Sequence, residues 1–107
     1  MSGSFGDMGN LLKQAQKMQA EIDRMESELA EATVEGSSGG GACKAVVTGT
    51  GQLQKIEIAE EAFAAADKGL VEEMVTAAVR DGIERARALK KDRMQRAMGG
   101  LNLPGMF

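Results

Sequence analysis

Seven cationic side chains crowd a short stretch near the end of the chain: Arg80, Arg85, Arg87, Lys90, Lys91, Arg93 and Arg96. Five of them are arginine, whose planar guanidinium presents paired N–H donors that match two oxygens of a phosphate, where lysine offers a point charge. The chemistry open to such a group is capture of a polyanion. At about 100° per residue on a helix, Arg80, Arg87 and Lys91 fall within about 40° of one another, Arg85, Arg93 and Arg96 fall on the opposite side, and Lys90 lies between. Cations near a helix C-terminus also stabilise the helix dipole, by roughly 0.3–1 kcal/mol each, so a merely solvated helix end is the competing reading.

Other chemistries are poorly served. The chain has no histidine, which excludes His-based acid–base catalysis, His metal ligation and every triad that needs an imidazole. One cysteine, Cys43, allows neither a thiolate zinc site nor an intrachain disulfide, and suits a cytoplasmic protein. Glu60, Glu61, Glu72 and Glu73 flank an expected helix start, where capping and solvation account for them. The glycine run lacks a Gly-Lys pair followed by Ser or Thr, since Lys44 follows Cys43 and precedes Ala45. The Gly49-Thr50-Gly51 turn leads toward a strand, whereas a dinucleotide fingerprint opens a helix. The expectation is a protein that is not an enzyme and needs no metal or cofactor.

Average charge conceals the basic end. The chain of 107 residues carries a net −3. Residues 1–36 hold three basic against seven acidic side chains, residues 37–79 three against six, and residues 80–107 seven against three. The local field, more than the mean, steers a charged partner. No apolar run approaches the roughly 18 residues of a membrane span, and residues 1–10 lack the basic and apolar stretches of a secretory signal.

The elements that must position these cations follow from apolar spacing. Met8, Leu11, Ala15, Met18, Ile22, Met25, Leu29 and Ala32 recur at alternating three- and four-residue steps, a heptad rhythm that predicts a helix over residues 7–32. Such a helix, about 39 Å long at 1.5 Å per residue, exceeds what so small a domain covers alone. It lies either on a helix of its own chain or, as expected here, partly on a second subunit. The glycines from Gly36 to Gly41 end helical structure. Thr33 to Glu35, Ala42 to Thr48 and Leu53 to Ile58 then read as a three-stranded meander over residues 33–58, with Gln54, Ile56 and Ile58 on one face. After an alanine-rich connector anchored by Phe63, Asp67 suits an N-cap for a long last helix over residues 67–98. Its inner stripe runs Val71, Met74, Val75, Ala78, Gly82, Ala86 and Leu89, and the next steps of the same stripe are Arg93 and Arg96. A stripe that turns from Leu to Arg without losing register predicts a basic arm standing clear of the body. Of the eight methionines, Met18, Met25 and Met74 fall on core stripes, whereas Met94, Met98 and Met106 are open to partner contact. Residues 99–107 read as a short tail.

Several segments together resemble the YbaB/EbfC family of bacterial nucleoid-associated proteins: LLKQAQKMQ from Leu11, VEGSSGGGACKAVVTG from Val34, KIEI from Lys55, DKGLVEEMVTAAVRDG from Asp67 and LPGMF from Leu103. Their order and spacing cover nearly the whole chain as one domain, residues 1–107. The resemblance implies an α+β fold, an α-β-β-β-α protomer with a three-stranded antiparallel sheet and two long helices, joined in an intertwined, tweezer-like homodimer with projecting helical arms. It implies binding of double-stranded DNA in the nucleoid, organising it or regulating expression, with Lys13 and Lys17 of the first helix joining Arg80, Arg85, Arg87, Lys90, Lys91, Arg93 and Arg96 of the last. Leu11, Met18, Ile22, Met25, Leu29, Val71, Val75 and Ala78 are the expected dimer interface. An alternative role is a protein-interaction module working with DNA repair or replication proteins. The chain departs from the family where Ala59 and Glu60 replace an Asp-Pro pair, and where Arg80-Asp81-Gly82 replaces Asn-Asp-Ala. Gly82 costs on the order of 1 kcal/mol relative to Ala in a helix, which a close helix crossing offsets.

Overall fold

The structure, a computed structural model, describes residues 2–99, with side chains from Asp7 onward. Its elements follow the order α1 (Ser2–Glu31), β1 (Thr33–Ser38), β2 (Cys43–Thr48), β3 (Leu53–Ile58), α2 (Glu60–Ala65) and α3 (Lys68–Gly99). The sheet is an antiparallel meander in the order β1-β2-β3. The expected α+β arrangement is therefore the observed one, with α1 starting earlier than residue 7.

β1 is twice as long as the sequence suggests. It continues through Gly36 to Ser38, because Gly36 is paired opposite Ala45 and lies under α3. A Cβ on Gly36 would stand 2.1 Å from the backbone nitrogen of Gly82 and 2.3 Å from the carbonyl oxygen of Ala78. A Cβ on Gly82 would meet Val47 Cγ2 at 2.7 Å. Strand and helix thus cross almost backbone to backbone, which is the close crossing that offsets the helix-interior glycine.

Around this crossing Cys43, Ala45 and Ala78 are fully buried, with Ile56, Ile58, Met74, Val75 and Val79 packed against them. Ile56 and Ile58 stand opposite Ala45 and Cys43. An irregularity at Val46/Val47 places Leu53, not Gln54, opposite Val47. The opposite face of the sheet is polar, with Lys44 paired to Glu35 at 3.7 Å and Lys55 to Glu57 at 3.1 Å. α3 covers β1 and β2 and scarcely reaches β3.

The helices are fixed at their ends. Asp67 Oδ1 accepts the Leu70 N–H at 2.8 Å, the expected N-cap of α3. The Gly49 N–H donates to the carbonyls of Leu29 and Ala32 at 2.9 and 3.0 Å, so the β2–β3 turn ties off the C-terminus of α1. Beyond the sheet α3 runs beside α1. Leu29 is fully buried, Met25 is 5% exposed and Met98 is 7% exposed.

Packing within the chain, against the sheet and along the helix pair, corrects three expectations. The basic end of α3 does not stand alone, because α1 lies along it and the projecting limb is a helix pair. Met25, Leu29 and Ala78 are buried within one chain and have no surface left for a partner, while Met18, Ile22, Val71 and Val75 are half-buried and Leu11 is exposed. Met98 is core, and Met94 is half-buried. Met106 and the rest of the tail beyond Gly99 lie outside the described residues.

Candidate nucleic-acid interface

The nine expected cations separate by what stands beside them. Arg85 Nε donates to Asp81 Oδ2 at 3.1 Å, Arg96 Nε reaches Asp92 Oδ2 at 3.2 Å, and Arg93 Nη1 lies 4.0 Å from Glu28 Oε2 on α1. Lys13, Lys17, Arg80, Arg87, Lys90 and Lys91 are exposed and make no ion pair among the described residues. Arg80 does not pair with Glu84. A carboxylate one helical turn away offsets part of a cation's field, so the unpaired six offer the stronger attraction to an anion.

They do not form one patch. Arg80, Arg87 and Lys91 follow one another along the outward side of α3, over about 16 Å of helix axis at 1.5 Å per residue. Lys17 instead borders an open groove between the two long helices, lined also by Glu21, Arg24, Glu28, Arg93 and Arg96. Arg24 was not among the expected residues. It sits seven residues beyond Lys17, at the same heptad position, and that spacing was the available signal. Its Nη2 donates to Glu21 Oε2 at 2.6 Å, so the groove mixes four cations with two carboxylates.

Asp81 holds the junction between sheet and limb. Its Oδ2 accepts the Ser37 backbone N–H at 2.9 Å as well as the Arg85 guanidinium, tying α3 to the edge of β1. The Ser37 hydrogen bond first, then Arg85, holds the Asp81 carboxyl below its usual value of 3.8. No group of three or more metal-ligating side chains occurs among the described residues, and no described helix is long and apolar enough to cross a membrane.

A small α+β scaffold carries exposed cations along its two long helices. Residues 5–101 match the YbaB/EbfC DNA-binding family, and the chain belongs to it. This is a DNA-binding family, not an enzyme family. A nucleoid-associated protein of Caldanaerobacter subterraneus is 42% identical over 105 residues, covering 98% of this chain and 94% of its own. One from Pelotomaculum thermopropionicum is 38% identical over 102 residues, covering 95% and 97%. The crystal structure of an uncharacterized protein of Helicobacter pylori shares the fold with a TM-score of 0.60 at 22% identity, covering 73% of this chain and 90% of that one.

Proposed function

We infer that this protein is a nucleoid-associated homodimer that grips double-stranded DNA through backbone phosphates. The observation that carries the reading is the set of six cations on the two long helices that have no ion-pair partner among the described residues, in a chain whose net charge is −3. Arg80, Arg87 and Lys91 are separated by about 10 and 6 Å along the helix axis, close to three and two nucleotide steps at about 3.4 Å per strand. Phosphates recur along every sequence, so such a row positions the protein without reading bases.

The dimer contact moves from the α1 stripe to the sheet end. Leu53 is 49% exposed, and with the half-buried Ile56 and Ile58 it forms the part of the inner sheet face that α3 scarcely reaches. Val71 and Val75 stand half-buried on the same end of α3. A second copy seated there leaves both limbs pointing outward, and DNA binding of this kind puts the site of action in the nucleoid, within the bacterial cytoplasm.

Titration of labelled duplex DNA with purified protein across a salt series tests the reading. For four to eight phosphate contacts, log K against log salt falls with a slope of roughly −0.9 per contact. Arg87→Glu with Lys91→Glu lowers affinity by at least about tenfold and flattens that slope, with the dimer unchanged by light scattering. Equal binding by the double variant overturns the assignment. Retention of a repair or replication protein, with no DNA binding near physiological salt, favours the interaction-module reading instead.

A further inference from the structure

The apolar stripe of α1 continues past the point where α3 stops. From Leu29 back to Met25 it is buried, yet at the far end Met8, Leu11 and Leu12 are 67%, 64% and 61% exposed. With Gly9 they line a shallow, almost wholly apolar concavity. Isolated apolar side chains on a surface are ordinary, but a contiguous cluster continuing a buried stripe marks a contact surface.

The last residues of the chain begin beside it. Ala97 and Lys17 border the same groove, and Met98 is buried, so the chain leaves α3 at the inner border of the bare stretch. Residues 100–107 read GLNLPGMF, with Leu101, Leu103, Met106 and Phe107 and no charged side chain. From Lys17 to Met8 is about 14 Å along the helix at 1.5 Å per residue. Eight residues span up to about 26 Å when extended, which leaves slack for a bend at Pro104-Gly105.

We propose that Leu101, Leu103, Met106 and Phe107 of the same chain occupy the Met8-Leu11-Leu12 face as an apolar cap that prolongs the α1–α3 pairing. The cap keeps the tips of the limbs from associating with one another, so that solvent and DNA meet only their charged sides. The proposal stands apart from the DNA reading, since it depends on apolar contact alone.

The test is cysteine chemistry, for which the native Cys43, fully buried, gives no background. Leu11→Cys is labelled with a maleimide in the full chain and again with Leu101→Ser, Leu103→Ser and Phe107→Ser added. Labelling at least about fivefold faster with the serines present is expected, and equal rates overturn the proposal. Two cysteine pairs, Leu11→Cys with Leu103→Cys and Leu12→Cys with Phe107→Cys, are then oxidised and run on a non-reducing denaturing gel. An intrachain disulfide, seen as a single-chain band whose linked peptides are found by mass spectrometry, supports it. A covalent dimer assigns the face to a second copy and overturns it, as does failure of both pairs to close. Neither readout requires DNA, so failure here leaves the phosphate reading untouched, and loss of salt-dependent DNA binding leaves the cap untouched.

Discussion

The two halves of α3 are made from one continuous helix but meet their neighbours at different depths. Over the sheet, small residues at four-residue steps, Ala78, Gly82 and Ala86, bring the helix backbone down onto Gly36. Several charges around that end are tied up, though Arg80 is not: Asp81 holds both Ser37 and Arg85, Lys68 meets Glu72, and the outer sheet face pairs Lys44 with Glu35. Along the limb, Met25, Leu29 and Met98 fill the space between α1 and α3, and the cations Arg87, Lys90 and Lys91 face outward without carboxylate partners among the described residues. The contrast teaches that the tightest packing and most of the ligand contact occupy different stretches of the same helix, with Arg80 the member of the outward row that stands over the sheet. Substitutions can move one without the other.

The largest effect expected comes from Gly36→Ala, which forces a methyl into backbone atoms little more than 2 Å away. It costs about 3 kcal/mol or more, read as a lowered urea midpoint at unchanged slope. A midpoint equal to that of the parent would mean that the crossing is not as tight as described. Leu29→Ala, at the join between sheet and limb, opens a cavity and costs about 2–4 kcal/mol in the same assay. If DNA affinity measured on the remaining folded protein fell as steeply as stability, the separation of the two stretches would fail.

Asp81→Asn sharpens the comparison, because it acts on both sides. Losing the carboxylate releases Arg85 and removes a negative charge beside Arg80, so DNA affinity rises modestly in the salt titration. Stability falls, and the sign of its pH dependence follows from a folded pKa held below 3.8. The parent's advantage is present above that unfolded value and disappears as pH falls through the lower folded one, so acid melts of parent and variant converge. A gap that persisted in strong acid would remove the charge from the explanation. The smallest effect is Glu28→Gln, which releases Arg93 from a contact of 4.0 Å between half-exposed side chains. It changes stability by no more than about 0.5 kcal/mol, checked by thermal melting.

Much of this was legible in residue spacing, and the failures have a common cause. The heptad steps of α1, the Asp67 cap, the meander and the continuous stripe of α3 each reflect local geometry that a sequence carries on its face. β1 was read short because Gly36 counts as a strand breaker until Gly82 is found above it, forty-six residues later. Met25 and Leu29 read as partner contacts for a related reason: an apolar stripe announces that something covers it, and gives no sign that over this part the cover comes from the same chain. Among the cations, sequence named nine correctly as basic and helical. Which of them carry a carboxylate beside them, as Arg93 carries Glu28, is a tertiary fact, and so is the place of Arg24 on the groove between the helices.

The molecule measures 76 × 23 × 18 Å, with a radius of gyration of 20.7 Å against about 13 Å for a rounded domain of this length. An outline that elongated meets more friction as it tumbles and diffuses than a sphere of equal mass. On a sizing column each species therefore elutes ahead of globular standards, and a single chain imitates a heavier particle. Subunit stoichiometry is then properly weighed by scattered light or by sedimentation equilibrium, where outline does not enter.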